Sequence, residues 1–447
     1  MGEDDLRERV GELMPQAKAD LARLVSFRSV ADPKQAPPEE CERAARYVME
    51  ALSSVGLEDV RAYDTPDRSK SVFGRADGPA GAPTVLLYCH YDVQPPLDER
   101  AWTSPPFELT ERDGRWYGRG AADCKGNIAA HLTALRALRN RWPVSIKLIA
   151  EGSEEQGTGG LEQFVRDQPE TLRADAFVIA DVGNVATGVP TLTTTLRGIV
   201  HVVVTVETLA SAVHSGMFGG PAPDALTALI AMLSTLHDRA GNTTVRGLDN
   251  RQDWDGADYP VERFRRDATV LDGVELVGDG SIADMLWARP ALTVLGIDCP
   301  PVVGSSAAVQ PRAIARLSLR VPPGMDAVEA RDALVDHLAA VVPWNARIDI
   351  ETEAVGQPFA SATDGPAFRA MADALGESYG RAATTRGEGA AIPFCSALRD
   401  VYPDAEIVLI GVEEPACLIH APNESVDPSE IEHIALAEAL FLERYGS

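Results

Sequence analysis

The segment TVLLYCHYDVQP, residues 84–95, runs from Thr84 to Cys89 without alternating apolar and polar residues, then turns to His90 and Asp92. An unalternated apolar run of this length predicts a strand buried on both faces of a sheet. Three further runs have the same character: Val144–Ala150, Ala176–Ala180 and Ile407–Ile410. Helical patterns separate the first three. Asn127–Leu138, for example, places Ile128, Leu132, Leu135 and Leu138 on one face. Strands alternating with helices predict an α/β domain with a mostly parallel sheet.

The middle of the chain reads differently. Residues 199–206 and 313–321 predict strands, the second alternating Ala315, Leu317, Leu319 and Val321 against Arg316, Ser318 and Arg320. Helices at about 224–237 and 326–341 and a strand at 346–353 complete an order close to a ferredoxin-like β-α-β-β-α-β unit. The Gly-, Pro- and Asp-rich residues 241–281 read as an irregular insertion. A chain of 447 residues is long for a single core. The expected organisation is a discontinuous catalytic domain, 1–196 and 357–447, with a smaller α+β domain inserted at 197–356.

The formal charge of −26 argues against nucleic acid or an anionic membrane as partner. No uninterrupted apolar stretch is long enough to predict a membrane span. MGEDDLRERVGELM at the N-terminus reads as a charged helix rather than a secretion signal. The six cysteines are widely spaced and form no CxxC pair, which predicts reduced thiols and a cytoplasmic location.

Chemistry gathers at the ends of the predicted strands. His90 and Asp92 close the first, Glu154 and Glu155 follow the second, and Asp181 ends the third. A loop carrying His420 follows the fourth, and Asp123 opens the helix between the first two. In an open α/β sheet, sites form outside the carboxyl ends of the strands. Taken singly, each piece has an ordinary reading: a surface His-x-Asp pair, a solvated Glu-Glu step, a helix-capping aspartate. Together, His90, Asp123, Glu155, Asp181 and His420 form a set able to hold two cations. One carboxylate can bridge the pair while each cation takes an imidazole and a further carboxylate, leaving room for a shared water. An unligated carboxylate can then take that water's proton. Two divalent ions are therefore expected, zinc first, with manganese or cobalt also suited to mixed imidazole and carboxylate donors. His131, His201, His237, His337 and His433 have no acidic constellation and read as structural.

YCHYDVQP at 88–95, WYGRGAADCKGN at 116–127, EGSEEQGTGG at 151–160, Asp181 after FVIA, HSGMFGG at 214–220 and the His420 loop resemble the M20 metallopeptidase family. Within it they are similar to the carnosinase-type cytosolic dipeptidases. The resemblance implies that His90, Asp123 and Asp181 hold one metal, and that Asp123, Glu155 and His420 hold the other, with Asp123 bridging. It implies Glu154 as general base, Asp92 as the partner orienting His90, and a cis peptide at Asp123–Cys124. It further implies a homodimer in which His214 of the inserted lid domain reaches the neighbouring subunit's site and stabilises the oxyanion.

The substrate end departs from the family pattern. Family dipeptidases often carry Arg-Glu-Gly-Gly-Ser-Ile-Pro, whereas this chain has RGEGAAIP at 386–393. Aligned on Glu-Gly and Ile-Pro, Gly387 stands where the arginine usually does. Arg386, Gly389 and Ala390 are the expected substrate contacts, with Arg386 as clamp for a free carboxylate. The function implied is cleavage of an amide bond in a dipeptide or small peptide-like substrate. The alternative is an N-acyl-amino-acid deacylase or a biosynthetic amidase. A non-catalytic binding protein would be expected to lack Glu154 or a ligand. A metal-free acyl hydrolase is weaker still, because the chain offers no credible Cys-His pair.

Overall fold

The computed structural model describes residues 3–446. The chain divides into two compact units: Met1–Thr194, Ser361–Arg386 and Pro393–Ser447 form the first, Thr195–Ala360 and Gly387–Ile392 the second. Residues 387–392, assigned to the catalytic domain by the sequence boundaries, group with the second unit. There the Arg197 N–H donates to the Glu388 carbonyl at 3.2 Å.

At the centre of the first unit, strands Ser145–Glu151, Thr84–His90, Ala176–Ala180 and Glu406–Ile410 lie side by side and all parallel. These are the four apolar runs of the sequence, and Ala176–Ala180 is buried at every residue. The antiparallel strands Lys70–Ala76 and Glu58–Asp64, not anticipated, extend the sheet beyond Ser145–Glu151. Helices Glu3–Val25, Lys125–Ala137 and Pro428–Tyr445 pack together on the sheet. The charged N-terminal helix thus begins at Glu3, while Met1 and Gly2 lie outside the described residues. Asp427 caps the last helix by accepting the Ser429 N–H, and Pro428 sits at its first turn, where a missing N–H costs nothing. No described helix is long and apolar enough to cross a membrane.

The second unit contains a four-stranded antiparallel sheet in the order Ala291–Asp298, Arg312–Val321, Gly198–Glu207, Arg347–Gly356. That is the ferredoxin-like arrangement, with Ala291–Asp298 as the strand the sequence did not reveal. Val200, Val202, Val204 and Val206 alternate inward, meeting Leu317 and Leu319 and the helices Ala225–Leu233 and Ala327–Val341. The 241–281 stretch is largely irregular but includes the short helix Val261–Asp267.

Candidate metal centre

Asp123 stands between two imidazoles. Its Oδ1 lies 3.0 Å from His90 Nε2, and its Oδ2 lies 2.9 Å from His420 Nε2. His90 Nε2 is also 3.0 Å from Asp181 Oδ1, and His420 Nε2 is 3.2 Å from Glu155 Oε2. The five residues singled out in the sequence are therefore brought together, with Asp123 common to both halves. The Asp123–Cys124 peptide is cis.

Each donor is fixed by its neighbours. His90 Nδ1 lies 3.1 Å from the Asp92 carbonyl and 3.4 Å from its carboxylate. The Asp92 carboxylate in turn accepts the N–H groups of Glu154 and Glu155, both at 3.1 Å. Gln94 holds Glu155 through its backbone N–H at 3.2 Å and its side-chain amide at 2.9 Å. His420 adopts a left-handed backbone, φ 61°, which side chains other than glycine enter only when their surroundings enforce it. Glu424 supplies part of that enforcement. Buried four residues beyond His420, it accepts the N–H groups of Gly120, Ala122 and Asp123 and pairs with Arg119 at 2.7 Å, tying the His420 loop to the Asp123 loop.

Sequence reasoning missed Glu424, and it missed Glu413. A Glu413 carboxylate oxygen lies within 4.8 Å of oxygens of Asp123 and Asp181. Asn127 donates to Glu413 at 3.1 Å while accepting the Val412 N–H at 3.0 Å. The only signal for either residue was a glutamate in the right loop, shared with many solvated glutamates. Cys124 is buried and donates its thiol to the Ala180 carbonyl at 3.0 Å; burial pushes that thiol's pKa up.

The donor set fits divalent cations on two grounds. Two ligands about 2.0–2.1 Å from one tetrahedral ion sit roughly 3.3 Å apart, close to the imidazole–carboxylate spacings here. Electrostatics points the same way. Burial, then the neighbouring Asp181 charge, pushes Glu154 well above the usual carboxylate range, and burial with the Asp123 charge raises Glu155 to about 7. Burial and the Asp123 and Asp181 charges likewise raise Glu413, with Arg386 counteracting them. Hydrogen bonds to Asp123 and Glu155 raise His420 to about 11. Burial disfavours a charged His90 ring, yet the surrounding acids hold its pKa well above the ordinary value. So much confined negative charge calls for positive charge, supplied by protons or by cations.

The remaining predicted residues lie elsewhere. His214 ends the short strand Val213–His214 in the second unit and is exposed. Its Nδ1 accepts the Gly216 N–H at 3.0 Å, so a neutral ring carries its proton on Nε2. Arg386 is half-buried in strand Thr384–Glu388, where its carbonyl accepts the Thr194 hydroxyl at 3.2 Å. Gly389 is half-buried and Ala390 exposed. A second guanidinium, unmarked in the sequence, belongs to Arg197: it is 7% exposed, and its Nε and one terminal nitrogen are buried without a hydrogen-bond partner. Burial, then the nearby Arg320 charge, lowers its pKa to about 10. A Cβ on Gly389 would lie 2.9 Å from its other terminal nitrogen.

Paired imidazoles and carboxylates at the carboxyl edge of a parallel sheet define a metal-dependent hydrolase. Residues 86–444 match peptidase family M20/M25/M40, and the chain belongs to that family of metallopeptidases. It is 44% identical to a cysteinylglycine-S-conjugate dipeptidase of Corynebacterium striatum, covering 96% of this chain and 95% of that protein. It is 27% identical to the rat β-Ala-His dipeptidase, covering 96% and 89% respectively. Human carnosine dipeptidase 1 superposes with a TM-score of 0.84 at 25% identity, over 99% of this chain and 98% of the other. The dipeptidase Dug1p of Saccharomyces cerevisiae gives the same TM-score at 23% identity, over 100% and 98%, which speaks to the fold alone.

Cation binding must displace the protons on the two imidazoles. Titrating the metal-free protein with Zn²⁺ at pH 7 should release about two imidazole protons per site, together with any held by the raised Glu155 and Asp181 carboxyls. Calorimetry in buffers of different ionisation enthalpy reads that number, and equal heats in all buffers would show that the rings are already neutral. Affinity should weaken as pH falls, because the raised imidazole pKa values favour the protonated, metal-free cluster.

Proposed function

We propose that this enzyme hydrolyses the peptide bond of dipeptides, with cysteinylglycine and its S-substituted conjugates as the substrate class. The observation that carries the reading is Asp123, whose two carboxylate oxygens each face a different imidazole, with Glu154 in the adjoining turn. The substrate class is supported by what the C. striatum relative is named for. His90, Asp123 and Asp181 would hold one divalent cation, and Asp123, Glu155 and His420 the other. Zinc suits these donors best, with manganese or cobalt as possible replacements. Bound there, the cations would supply Lewis acidity for the scissile carbonyl and lower the pKa of the attacking water.

The chain's own residues do the rest. Glu154 takes the proton of the attacking water and returns it to the leaving amine. Its elevated pKa in the metal-free cluster reflects burial beside other carboxylates, and added positive charge would bring it down into a working range. Asp92 holds the His90 ring by Nδ1, directing Nε2 at the cation. His214 donates from Nε2 to the oxyanion in the site of a partner subunit. A homodimer is supported by the edge strand Ala291–Asp298, which exposes Val294, Leu295 and Ile297 near the solvent-exposed Val302 and Val303. Arg386 is the candidate clamp for a free substrate carboxylate, with Gly389 and Ala390 lining the contact; Arg197, whose guanidinium lies against Gly389, is a second candidate. Six free cysteines support a cytoplasmic location.

Assays on cysteinylglycine, its S-conjugates, β-alanyl dipeptides and N-acetyl amino acids test the substrate class; preferential turnover of the N-acetyl compounds would replace it with deacylation. Glu154→Ala should keep both metals and lose roughly 10²–10⁴-fold in kcat, and undiminished turnover would remove Glu154 from the mechanism. His214→Ala should cost roughly 10²–10³-fold in kcat at unchanged metal content; lost metal would instead make it a ligand. Arg197→Ala and Arg386→Ala are to be compared on free and amidated dipeptides. The clamp is whichever variant raises KM for the free acid alone, and equal effects on both substrates reject the role.

A further inference from the structure

Asp67 lies outside the donor cluster, in the loop joining strands Glu58–Asp64 and Lys70–Ala76. Its carboxylate collects hydrogen bonds on both oxygens. Oδ1 accepts the Thr65 hydroxyl at 2.6 Å and the Ser69 N–H at 3.1 Å; Oδ2 accepts the Ser153 hydroxyl at 2.7 Å and that of Thr158. The Ser69 and Ser153 hydroxyls also meet at 2.9 Å. The backbone comes equally close. A Cβ on Gly160 would lie 2.3 Å from Asp67 Oδ1, and one on Gly152 would lie 2.6 Å from the Lys70 carbonyl. The 65–70 loop thus supports the 152–160 segment at both ends.

That segment carries Glu154 and Glu155, and the two are anchored differently. Glu155 has its own fastening, since Gln94 reaches its carboxylate and its carbonyl. The Glu154 side chain accepts no hydrogen bond from the described residues, so its aim is set by the backbone that bears it. On one side, Asp92 receives the Glu154 N–H. On the other, the neighbouring Ser153 is fastened to Asp67. Asp67 is also securely ionised: burial alone would raise its pKa, but the surrounding hydroxyls and the Ser69 N–H outweigh burial and bring it to about 2.

We propose that Asp67 is a positioning residue for Glu154, acting through Ser153 and Thr158 to fix the turn that presents the base. This rests on the assignment of Glu154 as general base. It predicts a separation of effects, because Glu155 keeps its Gln94 anchor: loss of Asp67 should disturb turnover while leaving the metals in place.

The test uses Asp67→Ala, Asp67→Asn and Ser153→Ala, with two readouts. In the metal-free protein, hydrogen exchange of the peptide covering 152–160 should accelerate by about tenfold or more in Asp67→Ala, with the parallel strands unchanged. In the metal-loaded enzyme, kcat should fall roughly 10–100-fold while KM stays within about twofold and two metals remain bound. Asp67→Asn keeps the size and one acceptor oxygen, and should fall between Asp67→Ala and the wild type. Ser153→Ala should reproduce part of the loss and add little to Asp67→Ala. Exchange and kcat both within twofold of wild type would overturn the proposal, as would a loss of turnover that tracks lost metal. Full turnover by Glu154→Ala would overturn the assignment of the base instead, and the exchange experiment on metal-free protein still reports on Asp67 by itself.

Discussion

Everything in the centre depends on one carboxylate facing two ways. Asp123 presents one oxygen to His90 and the other to His420, at 3.0 and 2.9 Å. Such a bridge demands that two loops distant in sequence arrive at one point with little freedom. The fold meets this demand with a second buried carboxylate rather than with apolar packing. Glu424 receives the N–H of Asp123 and two N–H groups just before it, while belonging to the loop that carries His420. A charged acceptor with several donors is stronger than a neutral one, and in a buried site its donors cannot turn to water instead. The same geometry that places the donors therefore holds the loops in register.

Around this bridge the chain gathers more acid than a buried site tolerates unaided. Two carboxylates of the cluster, Glu155 and Asp181, are pushed above their ordinary range, as are the neighbouring Glu154 and Glu413. Isolated buried charge of this kind is costly, so the cluster binds either protons or cations. Catalysis and stability are coupled at this point. The arrangement that strains the metal-free protein is the one that binds positive charge tightly when it is offered. A wrongly built site of this sort would relax by protonation, which explains why so many neighbours constrain the donors individually.

The sequence revealed those parts whose physics is local and periodic. Four apolar runs became the four parallel strands, because burial on both faces leaves no room for alternation. The five donors were legible because strand ends converge in space even where they are far apart in the chain. What stayed hidden lacked a local signature. Strand Ala291–Asp298 is exposed along most of its length, so neither burial nor alternation marks it. Strands Glu58–Asp64 and Lys70–Ala76 sit at the rim, the first of them mostly solvent-facing. Glu413, Glu424 and Asp67 are ordinary residue types whose roles come from partners remote in sequence, and the burial of Arg197 likewise leaves no local mark. No spacing rule could single them out.

Gly387 sits where the second unit leaves no room for a side chain. A Cβ at 387 would lie 2.5 Å from the Trp287 side chain and 2.8 Å from the Thr195 hydroxyl. Trp287 is buried, and its ring packs edge-on against Trp254 at 5.1 Å and stacks with Tyr259 at 6.1 Å. Trp254 and Tyr259 lie within the irregular 241–281 stretch, and Trp287 follows it. Any side chain at 387 would force Trp287 or Thr195 to shift, so glycine here fits the packing. The charge of Arg386 partly offsets that of Glu413. Arg197, by contrast, keeps two buried nitrogens without partners. A buried donor left unpaired costs about 1–3 kcal/mol, more when it is charged.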